Sequence, residues 1–385
     1  MSNLSELHRK QRDELQLLGY CQKILRGIEE PTPNSEQRAI WELVQNARDI
    51  SDDCHIEIRL YPDRLEFAHQ GAPFENRTLF SLVIQSSSKD AEDAEQVGQY
   101  GTGFMTTHTF NTRVRIDGTY EVKDEEGKHV AYYPIDKFEL DRSGATAREI
   151  FDVMCNTTIP AIDELENQTP ILEPRQWTKF TYELDERMAE ALSKQLDEVM
   201  RLIPFVLVVN KSIKELRIVN HISHINYHLT KESDTNIEKV GNGWKKIVQT
   251  IRVISENGEN RLLPIHTLQS EDGKDVIFIP PFEPFFGDAN ALPSLFLWFP
   301  LLGSEKFGIN FVFHSSRFYP VEQRNNIQLP LTNTKHPFKY QTNERVLNEM
   351  FEALFMYYRN EDNANRLPIE CCRVHFHKLG ENDDA

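Results

Sequence analysis

The chain has 385 residues, 39% hydrophobic and 27% charged, a balance that excludes wholesale disorder, collagen-like repeats and long coiled coils. Lys and Arg number 43 against 60 Asp and Glu, a formal net charge of −17, so broad coating of nucleic acid is disfavoured unless basic residues gather in one patch. The longest apolar runs, 203–209 and 295–302, fall far short of the roughly 20 residues of a spanning helix, and the first residues lack the basic head and apolar core of a secretory signal. The expectation is a cytoplasmic protein without a membrane contact. Five cysteines, Cys21, Cys54, Cys155, Cys371 and Cys372, are odd in number and show no C-x-x-C spacing, so they read as reduced thiols.

In chain order, Leu17, Leu18, Cys21, Ile24, Leu25 and Ile28 recur at three- and four-residue steps and predict an amphipathic helix over 5–29, ended by Pro31 and Pro33. Asn34 or Ser35 caps a second helix that carries Ile40, Leu43, Val44 and Ala47 to about Ile50. Residues 55–61 alternate with period two, Pro62-Asp63 turns, and 65–68 return, which predicts a hairpin. A helix over 78–84 precedes a polar stretch, 86–96, that ends at a glycine-rich run with a further helix from about Phe104. From Thr112 to about Tyr182 short strands are expected, with turns at Asp117-Gly118 and Glu126-Gly127, closing on a strand at 178–184. A helix over 185–202 leads to a second strand-rich region that opens with a strand at 204–209 and ends in a helix at about 342–359, before a polar tail. The reading is an α+β protein with a boundary near residue 200, giving domains 1–200 and 201–385.

Three motifs carry chemistry. On the second helix, Glu42, Asn46 and Asp49 share one face, as a solvated helix surface also would. A carboxylate there can orient and deprotonate water, and an amide oxygen can serve as one neutral ligand to Mg²⁺. At the end of the hairpin, His69-Gln-Gly71-Ala-Pro-Phe74 puts an imidazole able to donate and accept before a glycine that permits close backbone approach, or forms an ordinary turn. Third, Gly98-Gln99-Tyr100-Gly101-Thr102-Gly103-Phe104 precedes a helix, so its backbone N–H groups and the helix dipole favour an anion such as phosphate. It is neither a dinucleotide fingerprint, since no strand leads into it, nor a Walker A loop, since no Gly-Lys-Ser/Thr ends it.

In order and wording, the segment from about 35 to 185 resembles the ATP-binding domain of the GHKL group: gyrase B subunits, the ninety-kilodalton heat-shock chaperone, histidine kinases and mismatch-repair ATPases. The glycine run is closest to the chaperone's. The resemblance implies a Bergerat-type α/β sandwich binding ATP and Mg²⁺, with Glu42 as general base, Asn46 holding Mg²⁺, and Asp49 behind the base-binding wall. It further implies that His69, Gly71 and Thr178 lie beside adenine, and that residues 98–104 line the phosphates under a lid of 86–97, from which Lys89 reaches phosphate. The departure is His69, where the group usually has an aspartate, and His69-Gln-Gly71 followed by Pro73-Phe74 is similar to sacsin-like members.

Residues 297–302, 307–313 and 318–327 resemble the region that follows the ATPase domain in such proteins, a transducer-like α/β domain. There Arg324, whose guanidinium can clamp phosphate bidentately, is the candidate contact to the terminal phosphate, or a structural loop arginine. The implied function is ATP hydrolysis driving a conformational switch, chaperone-like or gating a partner effector, as in bacterial defence. The implied partners are another protein or a larger assembly, or a second copy of the chain brought together by ATP. The alternatives are a non-hydrolysing nucleotide-gated module and a DNA-transaction ATPase, the latter disfavoured by the −17 charge. His221, His224 and His228 would not share a strand face, and Arg373 lies among Cys371, His375 and His377, so neither cluster is read as a metal site.

Overall fold

A computed structural model describes residues 2–29, 35–84, 103–232, 235–282, 292–321, 324–329 and 337–367. The chain is a mixed α+β protein that divides into two compact units: the first comprises 1–197 and 212–226, the second 198–211 and 227–385. No helix among the described residues is long and apolar enough to cross a membrane.

In the first unit, α1 (Ser2–Glu29) and α2 (Ser35–Arg48) precede the hairpin of β1 (Cys54–Leu60) and β2 (Arg64–Gln70). Then come β3 (Phe74–Glu75), α3 (Asn76–Ile84) and a 3-10 helix, Gly103–Thr109. The long hairpin of β4 (Arg113–Lys123) and β5 (His129–Asp141) follows. Next are α4 (Ala147–Val153), a π-helical turn Met154–Thr158, α5 (Ile159–Asp163), β6 (Trp177–Glu183), α6 (Glu186–Val209), whose residues from 198 on count with the second unit, and β7 (Ile213–Asn220). The sheet runs β7-β1-β2-β6-β4, with β3 and β5 both against β4; β1/β7 and β3/β4 are parallel and the other pairs antiparallel.

Alternation decides which face is core. On β1, Cys54, Ile56, Ile58 and Leu60 are buried, and on β2 Leu65, Phe67 and His69. Opposite β2, register pairs Leu65 with Tyr182, Phe67 with Phe180 and His69 with Thr178, so β6 extends the same buried row. Helix α2 packs on this sheet and on the 3-10 helix, through the buried side chains Ala39, Ile40, Leu43, Val44 and Ala47. Each large apolar side chain so buried contributes about 1.5–3 kcal/mol.

Three expectations are corrected. Residues 147–163 are helical rather than extended, and Asp117-Gly118 is not a turn but lies inside β4 at a register irregularity opposite β5. The strand expected at 204–209 is instead the end of α6, with Pro204 inside the helix. A buried apolar run has no polar face to set its period, so helix and strand look alike in sequence. The expected turn at Glu126-Gly127 is present, Gly127 taking φ 78°.

The second unit holds β8 (Ile225–Lys231), β9 (Thr235–Gly241), β10 (Trp244–Ser255), β11 (Asn260–Ser270), β12 (Asp275–Phe278), β13 (Leu295–Leu297), β14 (Phe299–Pro300) and β15 (Val312–Ser315). Its order is β8-β10-β11-β12-β15-β13-β14, with β9 beside β8 on the same edge of β10. Helix α7 (Pro337–Tyr358) buries Val346, Leu347, Met350 and Leu354 in one cluster with Leu268, Ile277, Leu295 and Phe313, and α8 (Glu361–Ala364) follows. Asn343 on α7 is fully buried: its Oδ1 accepts from Tyr319 N at 2.8 Å and its Nδ2 donates to Tyr319 O at 2.9 Å and Gln328 O at 2.8 Å. It thereby holds both sides of the reversal that carries Arg324. Asn343→Leu strands three part-buried backbone groups, so we expect a loss of roughly 3 kcal/mol in urea unfolding of the second unit, whereas Asn348→Leu on the same helix leaves these bonds intact and is near neutral.

Candidate functional site

Helix α2 presents a polar edge beside its apolar one. Glu42 is buried, and its Oε1 lies 3.7 Å from Arg38 Nε one turn earlier. Asn46, one turn further on, is half-buried. Asp49, just past the helix end, has an inaccessible side chain whose Oδ1 accepts from Arg48 Nη1 at 2.9 Å. The next residue joins α2 to the end of β2: Ile50 O accepts from Ala72 N at 3.4 Å, and a Cβ on Gly71 would lie 3.1 Å from Ile50 Cδ1. Glycine at 71 therefore lets Ile50 and His69 pack close against the backbone, where a Cβ would also lie 3.4 Å from His69 Nδ1.

His69 stands in the core-facing row only 3% exposed, and its Nδ1 is buried with no hydrogen-bond partner. Burial pushes its pKa down to about 4, so the ring is neutral near pH 7. Phe67 and Phe180 lie 6.0 Å from it, ring to ring, and Thr178 is its cross-strand partner. Gly118 on the neighbouring β4 makes room for that threonine, since a Cβ there would sit 3.2 Å from Thr178 Oγ1. Phe104, in the 3-10 helix that begins at Gly103, closes the cluster against Phe180 at 5.8 Å.

Glu42, Asn46, Asp49, His69, Gly71, Gly103, Phe104 and Thr178 thus come from four elements of the first unit that pack on one another. Lys89, Gly98, Gln99, Tyr100, Gly101 and Thr102 lie outside the described residues, as do Cys371, His375 and His377. Arg324 belongs to the second unit, in a reversal where Val321 N donates to Asn326 O at 3.0 Å; it takes φ 50°, a backbone state that costs a non-glycine residue energy. Among the described residues no group of three or more His, Cys, Asp or Glu side chains is arranged to hold a metal.

Sequence reasoning did not single out Arg142, the largest fully buried side chain among the described residues. Its Nη2 donates to Leu82 O and, at 3.1 Å, to Val83 O at the end of α3, and its Nη1 to His108 Nε2 in the 3-10 helix. These partners are neutral; two are carbonyls at the negative end of a helix, which suits a cation. Burial pulls the guanidinium down to about 10, leaving it charged near neutrality. The same burial, with Arg142 adding to it, pushes His108 down to about 3. With Nε2 accepting from Arg142 and Nδ1 3.3 Å from Asn111 O, the network assigns the proton of His108 to Nδ1. Main-chain partners leave no mark in a sequence, so no pattern announces this arginine.

No protein-family model matches the chain, and no curated protein matches it in sequence.

Both histidines are neutral when folded and take up protons below about 6.5 when unfolded. The unfolded chain then binds more protons, so this share of stability is full above pH 6.5 and is lost as pH falls toward about 4 for His69 and about 3 for His108. From pH 7 to 5 each histidine costs about 2 kcal/mol. Denaturant unfolding at the two pH values should show this loss, reduced by one share in His108→Gln.

Proposed function

We propose that the first unit is a Bergerat-type α/β sandwich that binds Mg²⁺·ATP and hydrolyses it as a conformational switch of the GHKL kind. The observation that carries this reading is the packing of α2, the end of β2, the 3-10 helix and β6 around His69 and Phe180, which makes neighbours of segments up to about 130 residues apart. The residues also suit a base. His69 brings a polar ring into this otherwise apolar setting, and Gly71 lets the backbone pass close beside it.

In this reading Glu42 orients the attacking water and takes its proton, and Arg38, 3.7 Å away, holds the side chain in place. Asn46 gives one amide oxygen to Mg²⁺, which when bound offsets charge developing on the phosphates. Asp49, held by Arg48, fixes the turn through which Ile50 reaches the base-binding wall. Such a switch would serve chaperone-like remodelling or the gating of a partner effector. One observation favours a second reading, a nucleotide-gated module without turnover: Glu42 is already engaged by Arg38.

Phosphate release and ATP binding measured side by side distinguish these. Wild type should turn over, Glu42→Ala should lose about 100-fold or more of the rate while binding ATP within a few-fold, and Asn46→Ala should lose the Mg²⁺ dependence of binding. Binding without turnover by wild type leaves the second reading; no binding of ATP by wild type overturns both.

A further inference from the structure

We propose that the exposed face of α7 is the docking surface for the chain's own C-terminal segment, residues 368–379. Helix α7 carries more apolar surface than the core of the second unit takes up. Val346, Leu347, Met350 and Leu354 face that core, but Phe351 and Phe355, one helical turn apart, are 42% and 68% exposed. Phe351 stands edge-on to the buried Phe313 at 5.3 Å, and half-buried Phe311 lies 6.4 Å from the same ring and 6.2 Å from Tyr358. The aromatic surface thus runs from the core outward to Phe355. Adjoining rings left in water mark a contact surface more often than a single scattered apolar residue does.

Reach favours the chain's own end as the occupant. Asn363 Nδ2 donates to Tyr357 O at 3.1 Å and ties α8 to the end of α7, so the chain passes residue 367, the last described, next to this helix. The seven residues from there to Val374 span up to about 23 Å, whereas Phe355 and Phe351 lie only about 4.5 and 10 Å along the axis from the end of α7.

Spacing agrees. In an extended segment Val374 and Phe376 share a face about 6.7 Å apart, close to the rise of about 6 Å between Phe351 and Phe355. Running back along the helix, the segment sets Val374 on Phe355 and Phe376 on Phe351.

Charge agrees as well. On the exposed surface of α7, Glu344 and Glu352 have no ion-pair partner among the described residues, while Arg345 faces Glu349 at 3.9 Å and Arg359 stands 6.0 Å from the Phe355 ring. The segment brings Arg373 and Lys378, with His375 and His377, against the single carboxylate of Glu370. In the antiparallel run Lys378 falls nearest Glu344. Exposed ion pairs are weak, so they set the direction of the segment and the rings supply the hold.

Cys371 and Cys372 make the segment its own reporter. The test is the rate at which N-ethylmaleimide alkylates these two thiols, read by mass spectrometry in the full chain, in its variants and in a synthetic peptide of residues 368–379. Wild type should react at least about tenfold more slowly than the peptide, the protection expected when the docked state outweighs the open one about tenfold. Phe355→Asp should bring the rate to within about twofold of the peptide's, and Glu344→Lys with Glu352→Lys should raise it several-fold. Phe376→Asp should act like Phe355→Asp; it changes only the segment, and it decides the matter if Phe355→Asp does not fold by circular dichroism. A wild-type rate equal to the peptide's overturns the proposal, as does a slow rate that neither Phe355→Asp nor Phe376→Asp raises. A slow rate that climbs to the peptide's on dilution shows the segment seated on a second copy and overturns docking within one chain.

Discussion

Because successive side chains of a strand point to opposite faces, the row Leu65, Phe67, His69 enters the core as one set, and a shift of one residue would expel all three. The β1–β2 register, Leu60 opposite Leu65 and Ile56 opposite His69, leaves no freedom at this point. A polar ring is thereby carried into the core by the two apolar residues before it. Its burial and neutrality follow from that placement, and so does the position of β6, whose Thr178, Phe180 and Tyr182 complete the row. The other face is polar and self-neutralised, as in Arg64 with Glu66 at 2.8 Å, and needs no covering layer.

Where polarity alternates with a clear period, the elements were legible. The hairpin at 55–61 and 65–68, the second helix and the long helix near the end lie close to where the pattern puts them. Residues 147–163 went unread because Ile150, Val153, Thr157, Thr158 and Ile159 are β-branched, a local preference that packing overrides. A signal was present nonetheless: Thr146 and Glu149 have capping-box spacing, and Thr146 Oγ1 accepts from Glu149 N at 3.2 Å. At 204–209 the unbroken apolar run reads as a strand, yet Phe205 is buried against Phe278 and Phe296, and Asn210 closes the helix by donating to Val206 O at 2.9 Å.

For the candidate site, residue types were legible and their supports were not. Glu42, Asn46, His69 and Gly71 stood out because polar side chains and a glycine interrupt apolar periodicity. The contacts that orient them, Arg38 to Glu42 apart, depend on register and on segments far away in sequence: Ile50 over Gly71, Gly118 beside Thr178, Phe180 between His69 and Phe104. The parallel pairing of β1 with β7 is a further example, since nothing in 213–220 names its partner about 160 residues earlier.

The guanidinium of Arg142 ties three chain segments together with a handful of bonds: the end of α3, the 3-10 helix and the end of β5. Separating any one of them exposes a buried cation or strands carbonyls, so the three open together or not at all. Amide hydrogen exchange should therefore find them opening as a single cooperative unit with one free energy. Since α2 docks on the same 3-10 helix, whatever steadies that helix bears on both α2 and the segments that Arg142 joins.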